Sequence, residues 1–115
     1  MQRAVVVTGG SGGVGRGIVR RLGGDGWHVV VIDSVAAEGS DVEVVVGNAA
    51  EVAVAEEAAE RASAVGTLTG WVNNAAVFDD AGLDDPARVL DVIAANVALA
   101  VVGCSVAVRA FLAAG

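Results

Sequence analysis

The 115-residue chain has no tyrosine and no lysine, and only one each of cysteine, histidine and proline. A lone cysteine, Cys104, excludes an internal disulfide. One histidine and one cysteine are too few for a metal-ligand cluster, so no metal centre is expected. All seven cations are arginine, set against fourteen carboxylates for a net charge of −7. That balance excludes nucleic acid as a partner, because its phosphates call for a basic surface. Aromatic residues make up only 3 %, yet 55 % of the chain is hydrophobic. The usual hydrophobic share is about 45–50 %. Valine and alanine supply most of the excess, as expected of a parallel sheet buried on both faces, or of a chain covered by a partner. The length suits one domain, residues 1–115, with room for a core.

What is abundant is glycine, and it is concentrated near the start. Thr8-Gly9-Gly10-Ser11-Gly12-Gly13-Val14-Gly15 follows the apolar run Ala4-Val5-Val6-Val7 and precedes a stretch of helical period. Strand, glycine turn and helix in that order build a phosphate cradle. Glycine brings the backbone close to an anion, and the helix start offers unpaired N–H groups and a positive dipole end. A bare glycine turn without a ligand is the alternative. The strand before the loop, the helix after it and an acid further on favour the cradle.

Along the chain, residues 4–7 read as the first strand. Val14, Ile18, Val19 and Leu22 fall on one helical face, with Arg16, Arg20 and Arg21 turned outward. Gly23-Gly24-Asp25-Gly26 stops that helix. Residues 28–33 form the second strand, in which His28 has no ionisable partner nearby in sequence and reads as structural. Residues 34–41 make a short connection with room for one helical turn. Residues 42–46 form the third strand, 51–65 an Ala/Glu-rich helix, and 67–72 the fourth strand. Residues 78–85 form an acidic loop, and Pro86 opens a helix that continues toward Leu112. Alternating strands and helices of this kind imply right-handed βαβ units.

Residues 92–108 carry no charge, but the run is shorter than the about 20 apolar residues of a membrane span and contains Asn96. A buried or interface helix is expected, with no membrane partner; Cys104 within it should pack as a small hydrophobe. Met1-Gln2-Arg3 leads directly into a strand without a cleavage site, which makes the cytoplasm the default address.

Asp33 closes the second strand, where a carboxylate accepts hydrogen bonds from adenosine ribose hydroxyls and repels a 2′-phosphate. No arginine follows closely and no cation precedes Gly15 within the loop, so NAD is expected over NADP.

The glycines fit three frames. Gly10-x-Gly12-x-x-Gly15 is the general dinucleotide fingerprint. Thr8-Gly9-x-x-x-Gly13-x-Gly15 resembles the loop of standard short-chain dehydrogenases/reductases, and Thr8-Gly9-x-x-Gly12-x-x-Gly15 that of the extended type. Asn73-Asn74-Ala75-Ala76 resembles the Asn-Asn-Ala-Gly segment of the standard type, with Ala76 in place of the usual glycine and Thr69 where an aspartate is common. Two such asparagines can tie neighbouring strands together and approach a cofactor.

The resemblance implies an α/β fold, a Rossmann-like three-layer αβα sandwich with parallel strand order 3-2-1-4, ending before the family's fifth strand. It implies nucleotide contacts from Thr8, Gly9, Ser11, Gly12, Gly13, Val14 and Gly15. It adds Asp33, then Asn48 with Ala49, and then Asn74, Ala75 and Ala76. At Asn48 the family usually has an aspartate beside the adenine; asparagine keeps an acceptor, and its alternative role is that of a turn residue. Asn96 matches an asparagine that anchors a water in the family's proton relay; otherwise it is a satisfied polar residue of an apolar helix.

The family's catalytic serine strand and Tyr-x-x-x-Lys helix have no counterpart here, and Ser63 and Ser105 are poorly placed to substitute. Without a group of suitable pKa at the reacting oxygen, acid–base help is lost. The expected function is thus the cofactor half of a nicotinamide-dependent oxidoreductase. The alternatives are a non-catalytic nucleotide-binding sensor module or an assembly remnant. The fourth strand as a sheet edge, together with the apolar helix, implies homo-oligomers or pairing with a complementary C-terminal half.

Overall fold

The computed structural model describes residues 2–36 and 42–115. Its elements run β1 (Arg3–Thr8), α1 (Gly13–Gly24), β2 (His28–Asp33), β3 (Glu43–Val46), α2 (Val52–Val65), β4 (Thr67–Asn73) and α3 (Pro86–Ala114). The four strands are parallel in the order β3-β2-β1-β4, so β1 lies inside the sheet with β2 and β4 on either side. Residues 37–41 of the expected 34–41 connection lie outside the described residues.

Unbroken valine runs make β1 and β2 central strands, because the period of two sends alternate side chains to opposite faces. Ala4, Val6, Val30 and Ile32 pack with Val45, Leu68 and the alanine face of α2 (Ala55, Ala58, Ala59, Ala62). Val5, Val7, Val29 and Val31 face the other way, onto Val19 of α1. The result is three layers, with α1 on one side and α2 and α3 on the other. Each fully buried valine contributes about 1.5–3 kcal/mol relative to exposure. Alanine along α2 lets the helix lie close to the sheet.

Between β1 and β4 the register slips at Ala4/Val5, where Leu68 pairs with Ala4 and Gly70 with Val5. The residue passed over is Thr69, which is exposed. Gly70 sits close against Val5, where a Cβ would lie 3.1 Å from a Val5 methyl.

Two local expectations are corrected, for Val14 and Cys104, and the structural reading of His28 gains a partner distant in sequence. Val14 does not join the buried face of α1; it is 76 % exposed because it sits in the first turn, over the cleft described below. His28 has an ionisable partner: its Nε2 lies 3.4 Å from Glu43 Oε1 on β3, and Glu43 Oε2 is 3.7 Å from Arg61. Cys104 is exposed rather than packed, because the face of α3 turned to the protein is Gly103, Val106 and Ala107.

Among the described residues, α3 is the one helix long and apolar enough, by length and composition, to cross a membrane. Asp85 caps it by accepting the Arg88 N–H, and Pro86 occupies its first turn. One face packs on β4 and α2. Leu90, Ile93, Val97, Val101, Val108 and Leu112 remain exposed.

Candidate nucleotide-binding site

The chain leaves β1 toward β2 on one side and returns to β4 on the other, which opens a crevice at the carboxyl ends of the strands. A cleft of about 630 Å³ lies there, within the about 300–1,000 Å³ typical of small-molecule sites. Gly9, Gly12, Gly13 and Val14 form its middle. Ile32, Asp33, Ser34, Gly47, Asn48 and Ala49 form one end, and Asn74, Ala75, Ala76, Val77, Phe78 and Leu99 the other.

The middle is held by a short hydrogen-bond chain. The Gly9 N–H donates to the Ile32 carbonyl at 2.7 Å, while the Gly9 carbonyl accepts from Asn74 Nδ2 at 3.0 Å. Gly9 has φ +68 and faces the Ala75 backbone, so both its conformation and the space around it require glycine. Gly15 is required by space: a Cβ there would run into the Gly9 carbonyl oxygen and Asn74 Nδ2. Thr8, almost fully buried, accepts the Asn74 and Ala75 N–H groups on its Oγ1 at 3.1 and 3.0 Å and donates to the Val72 carbonyl at 3.5 Å. These bonds set the spacing between the glycine loop and the segment after β4.

The start of α1 has neither a side-chain cap nor an acidic residue in its first turn. Around Gly12 and Gly13 a Cβ would meet nothing within 4 Å, so the backbone is bare toward the cleft. A helix start in this state suits an anion.

At the β2 end, Asp33 accepts the Ser11 N–H on Oδ2 at 3.1 Å and the Ser34 N–H on Oδ1 at 2.7 Å. The carboxylate thus ties the glycine loop to β2 and still borders the cleft. Among the described residues, no arginine lines the cleft. Asn48 Oδ1 accepts the Ala50 N–H at 2.9 Å, closing a turn before α2. Gly47 has to be small because a Cβ would meet the Val54 methyls at 2.9 Å.

The structure brings together Gly9, Gly12, Gly13, Val14, Asp33, Asn48, Ala49, Asn74, Ala75 and Ala76 around one cleft. Thr8, Ser11 and Gly15 do not line it; they act behind its wall, through the bonds and the close approach given above. Asn96 stands apart too. Its Oδ1 accepts the Val77 N–H at 2.8 Å, and its Nδ2 donates to the Val77 carbonyl at 2.9 Å and the Val92 carbonyl at 3.0 Å. Its side chain therefore clamps the loop after β4 to α3.

Of the asparagine pair, only Asn74 ties strands together. Asn73 instead accepts from Trp71 Nε1 at 3.0 Å and donates to Cys104 Sγ at 3.4 Å. Ile32, Ser34, Gly47, Val77, Phe78 and Leu99 line the cleft without having been singled out in the sequence. Adjacency to Asp33, Asn48 and Ala76 was the available signal for Ile32, Ser34, Gly47 and Val77; Phe78 lies one residue further on, and Leu99 comes from α3.

The short chain dehydrogenase family profile matches residues 3–115. Among solved structures, a short-chain dehydrogenase/reductase from Serratia marcescens is 33 % identical, with TM-score 0.66, over 93 % of this chain and 51 % of that one. A blue fluorescent protein from a metagenomic library, solved in complex with NADPH, is 28 % identical with TM-score 0.75, over 96 % of this chain and 50 % of its own. A Brucella melitensis short-chain dehydrogenase/reductase of the glucose/ribitol dehydrogenase type has TM-score 0.80 at 23 % identity, over 96 % and 54 %, a likeness of fold. The chain spans about half the length of the solved relatives it matches. No match is found among curated proteins.

Proposed function

The chain belongs to the short-chain dehydrogenase family, and from that premise we propose that its cleft binds a nicotinamide dinucleotide, NAD in preference to NADP, as the cofactor half of an oxidoreductase. The residues present fit such a ligand. The bare loop at Gly12 and Gly13 and the uncapped start of α1 suit the pyrophosphate. Asp33 suits the adenosine ribose, Asn48 and Ala49 lie at the base end, and Asn74, Ala75 and Ala76 at the nicotinamide end. When bound, the nicotinamide supplies a two-electron hydride couple for an alcohol or carbonyl substrate.

The observation that carries the NAD preference is Asp33. Its carboxylate is oriented by Ser11 and Ser34, and no arginine lines the cleft to receive a 2′-phosphate. A 2′-phosphate would meet like charge there.

The chain's own residues hold the cofactor and shape the cleft; none of them is a phenol or amine that could exchange a proton at a substrate oxygen. On this reading the acid–base group that turnover requires comes from outside these residues. The β4 edge, with Trp71 and Val72 half-buried, and the exposed apolar side of α3 are the surfaces on which a complementary segment or a second copy would pack.

Calorimetric titration of the chain with NAD and NADP, repeated on Asp33→Ala, tests the proposal. The expected result is saturable NAD binding at least tenfold tighter than NADP, with the preference lost in the variant. Equal affinity for both in the parent chain would refute the role given to Asp33. Hydride transfer by the chain alone would refute the need for an outside group.

A further inference from the structure

The two helical layers of the sandwich carry opposite charge on their outer sides. α1 packs on one face of the sheet, α2 and α3 on the other. On α1, Arg16, Arg20 and Arg21 are exposed and the helix holds no carboxylate. Arg21 pairs with Asp25 at 3.1 Å, whereas Arg16 and Arg20 make no ion pair among the described residues. α2 shows the reverse, with Glu56, Glu57 and Glu60 exposed. Glu57 pairs with Arg61 at 2.6 Å and Glu56 lies 3.5 Å from Arg109 of α3, which leaves Glu60 without an ion pair among the described residues. A groove of about 350 Å³ runs between α2 and α3, floored by Ala59, Val106 and Ala110. Its rim is Glu56 and Glu60 against Arg109, so carboxylate is in excess there.

The spacing on the two sides matches. Arg16 and Arg20 are four residues apart on one helix, and Glu56 and Glu60 four apart on another. Each pair therefore occupies neighbouring turns of one face, about 5–6 Å apart. Two Arg–Glu pairs can form together when α1 lies along α2. α1 has 12 residues and spans about 18 Å, shorter than the 14-residue α2. Gly17 and Gly24 share the exposed side of α1 with Arg20, and a Cβ at either would meet nothing within 4 Å in the chain. The helix there has no side chain to hold a partner's alanines at a distance. Both halves of the match lie on the same chain, which makes a second copy the occupant.

We propose that a second copy of the chain seats its α1 in the groove between α2 and α3 of the first, with Arg16 and Arg20 facing Glu56 and Glu60. The two surfaces lie on opposite faces of the sheet, so the contact is head to tail. Each copy added still offers a free groove or a free α1, and assembly continues past the dimer. Exposed ion pairs are individually weak and screened by salt, which makes the contact weak and salt-sensitive.

Sedimentation equilibrium of the full chain without nucleotide, at up to about 1 mM, tests this. The comparison is between about 0.1 M and about 1 M salt, where the Debye length falls from about 10 to about 3 Å. The average mass should rise past that of a dimer at the lower salt and fall at least twofold at the higher. Arg16→Glu with Arg20→Glu, and separately Glu56→Arg with Glu60→Arg, should each abolish this growth by placing like charges across the contact. The second pair of substitutions reduces the net charge of −7, so overall repulsion does not explain a loss there. Mixed one to one, the two variants again present opposite charges at both contacts, and growth should return. All four positions are exposed, so both variants should melt with the parent. A mass that stops at the dimer or does not fall with salt would overturn the proposal. So would variants that assemble as the parent does, or a mixture of folded variants that stays unassembled.

Discussion

At the glycine-loop end of the molecule, Thr8, Asp33 and Asn74 spend their polar atoms on backbone partners, and the valines beneath them are fully buried. Along the outer face of α3 the apolar side chains point outward: Leu90, Val97, Val101 and Leu112 are all more than half exposed. The first region is fixed by its own residues, with Gly9, Ser11 and Gly15 each held by a bond or by the space around it. The second has the composition of a core and the exposure of a surface. Sites that must place atoms to within fractions of an ångström need the first kind of construction. A large exposed apolar patch marks a surface meant to be covered.

The largest test of this contrast is Gly15→Ala. Its Cβ would run into the Gly9 carbonyl and Asn74 Nδ2, and neither is the free end of a flexible side chain. A stability loss of about 1–3 kcal/mol is expected from the overpacking, read by chemical denaturation, with NAD binding abolished. Next comes Asn96→Ala, which removes the clamp on Val77 and should cost about 1–2 kcal/mol from three lost side-chain bonds. Amide exchange should accelerate at Val77 and in its neighbours but not at Gly9 or Asp33. The smallest effect on the folded chain is expected from Val97→Gln with Val101→Gln. Stability should stay within about 0.5 kcal/mol, since both side chains are already exposed. Self-association followed by sedimentation should weaken, and unchanged association would remove α3 from the candidate interfaces.

The legible parts of the chain are those where local pattern and tertiary role coincide. Four strand readings hold in place, and the two that rest on unbroken valine runs, β1 and β2, are buried on both faces as those runs imply. That the glycine loop, Asp33 and Asn74 meet at one cleft was readable because the glycine turn and the two polar residues all lie at carboxyl ends of strands. What escaped depends on partners distant in sequence. His28 meets Glu43 only because β2 and β3 pair with Val30 beside Glu43, a register that composition does not encode. Cys104 stays exposed at the margin of α3, its Sγ meeting Asn73, because the buried face of the helix is Gly103, Val106 and Ala107. Val14 fits the helical period, yet the first turn of α1 overhangs the cleft rather than the sheet. Asn96 lay on an apolar helix as expected, but its bonds to the Val77 backbone require the loop after β4 to fold back on α3.

The most direct measurement is a two-dimensional amide NMR titration of the chain with NAD. Shifts are predicted at Gly9, Gly12 and Gly13, at Ser34, at Asn48 and Ala49, and at Asn74 to Ala76, with the outer face of α3 around Val101 unmoved. Shifts confined to α3, or none at all in a folded chain, would contradict a dinucleotide site built across the ends of β1, β2, β3 and β4.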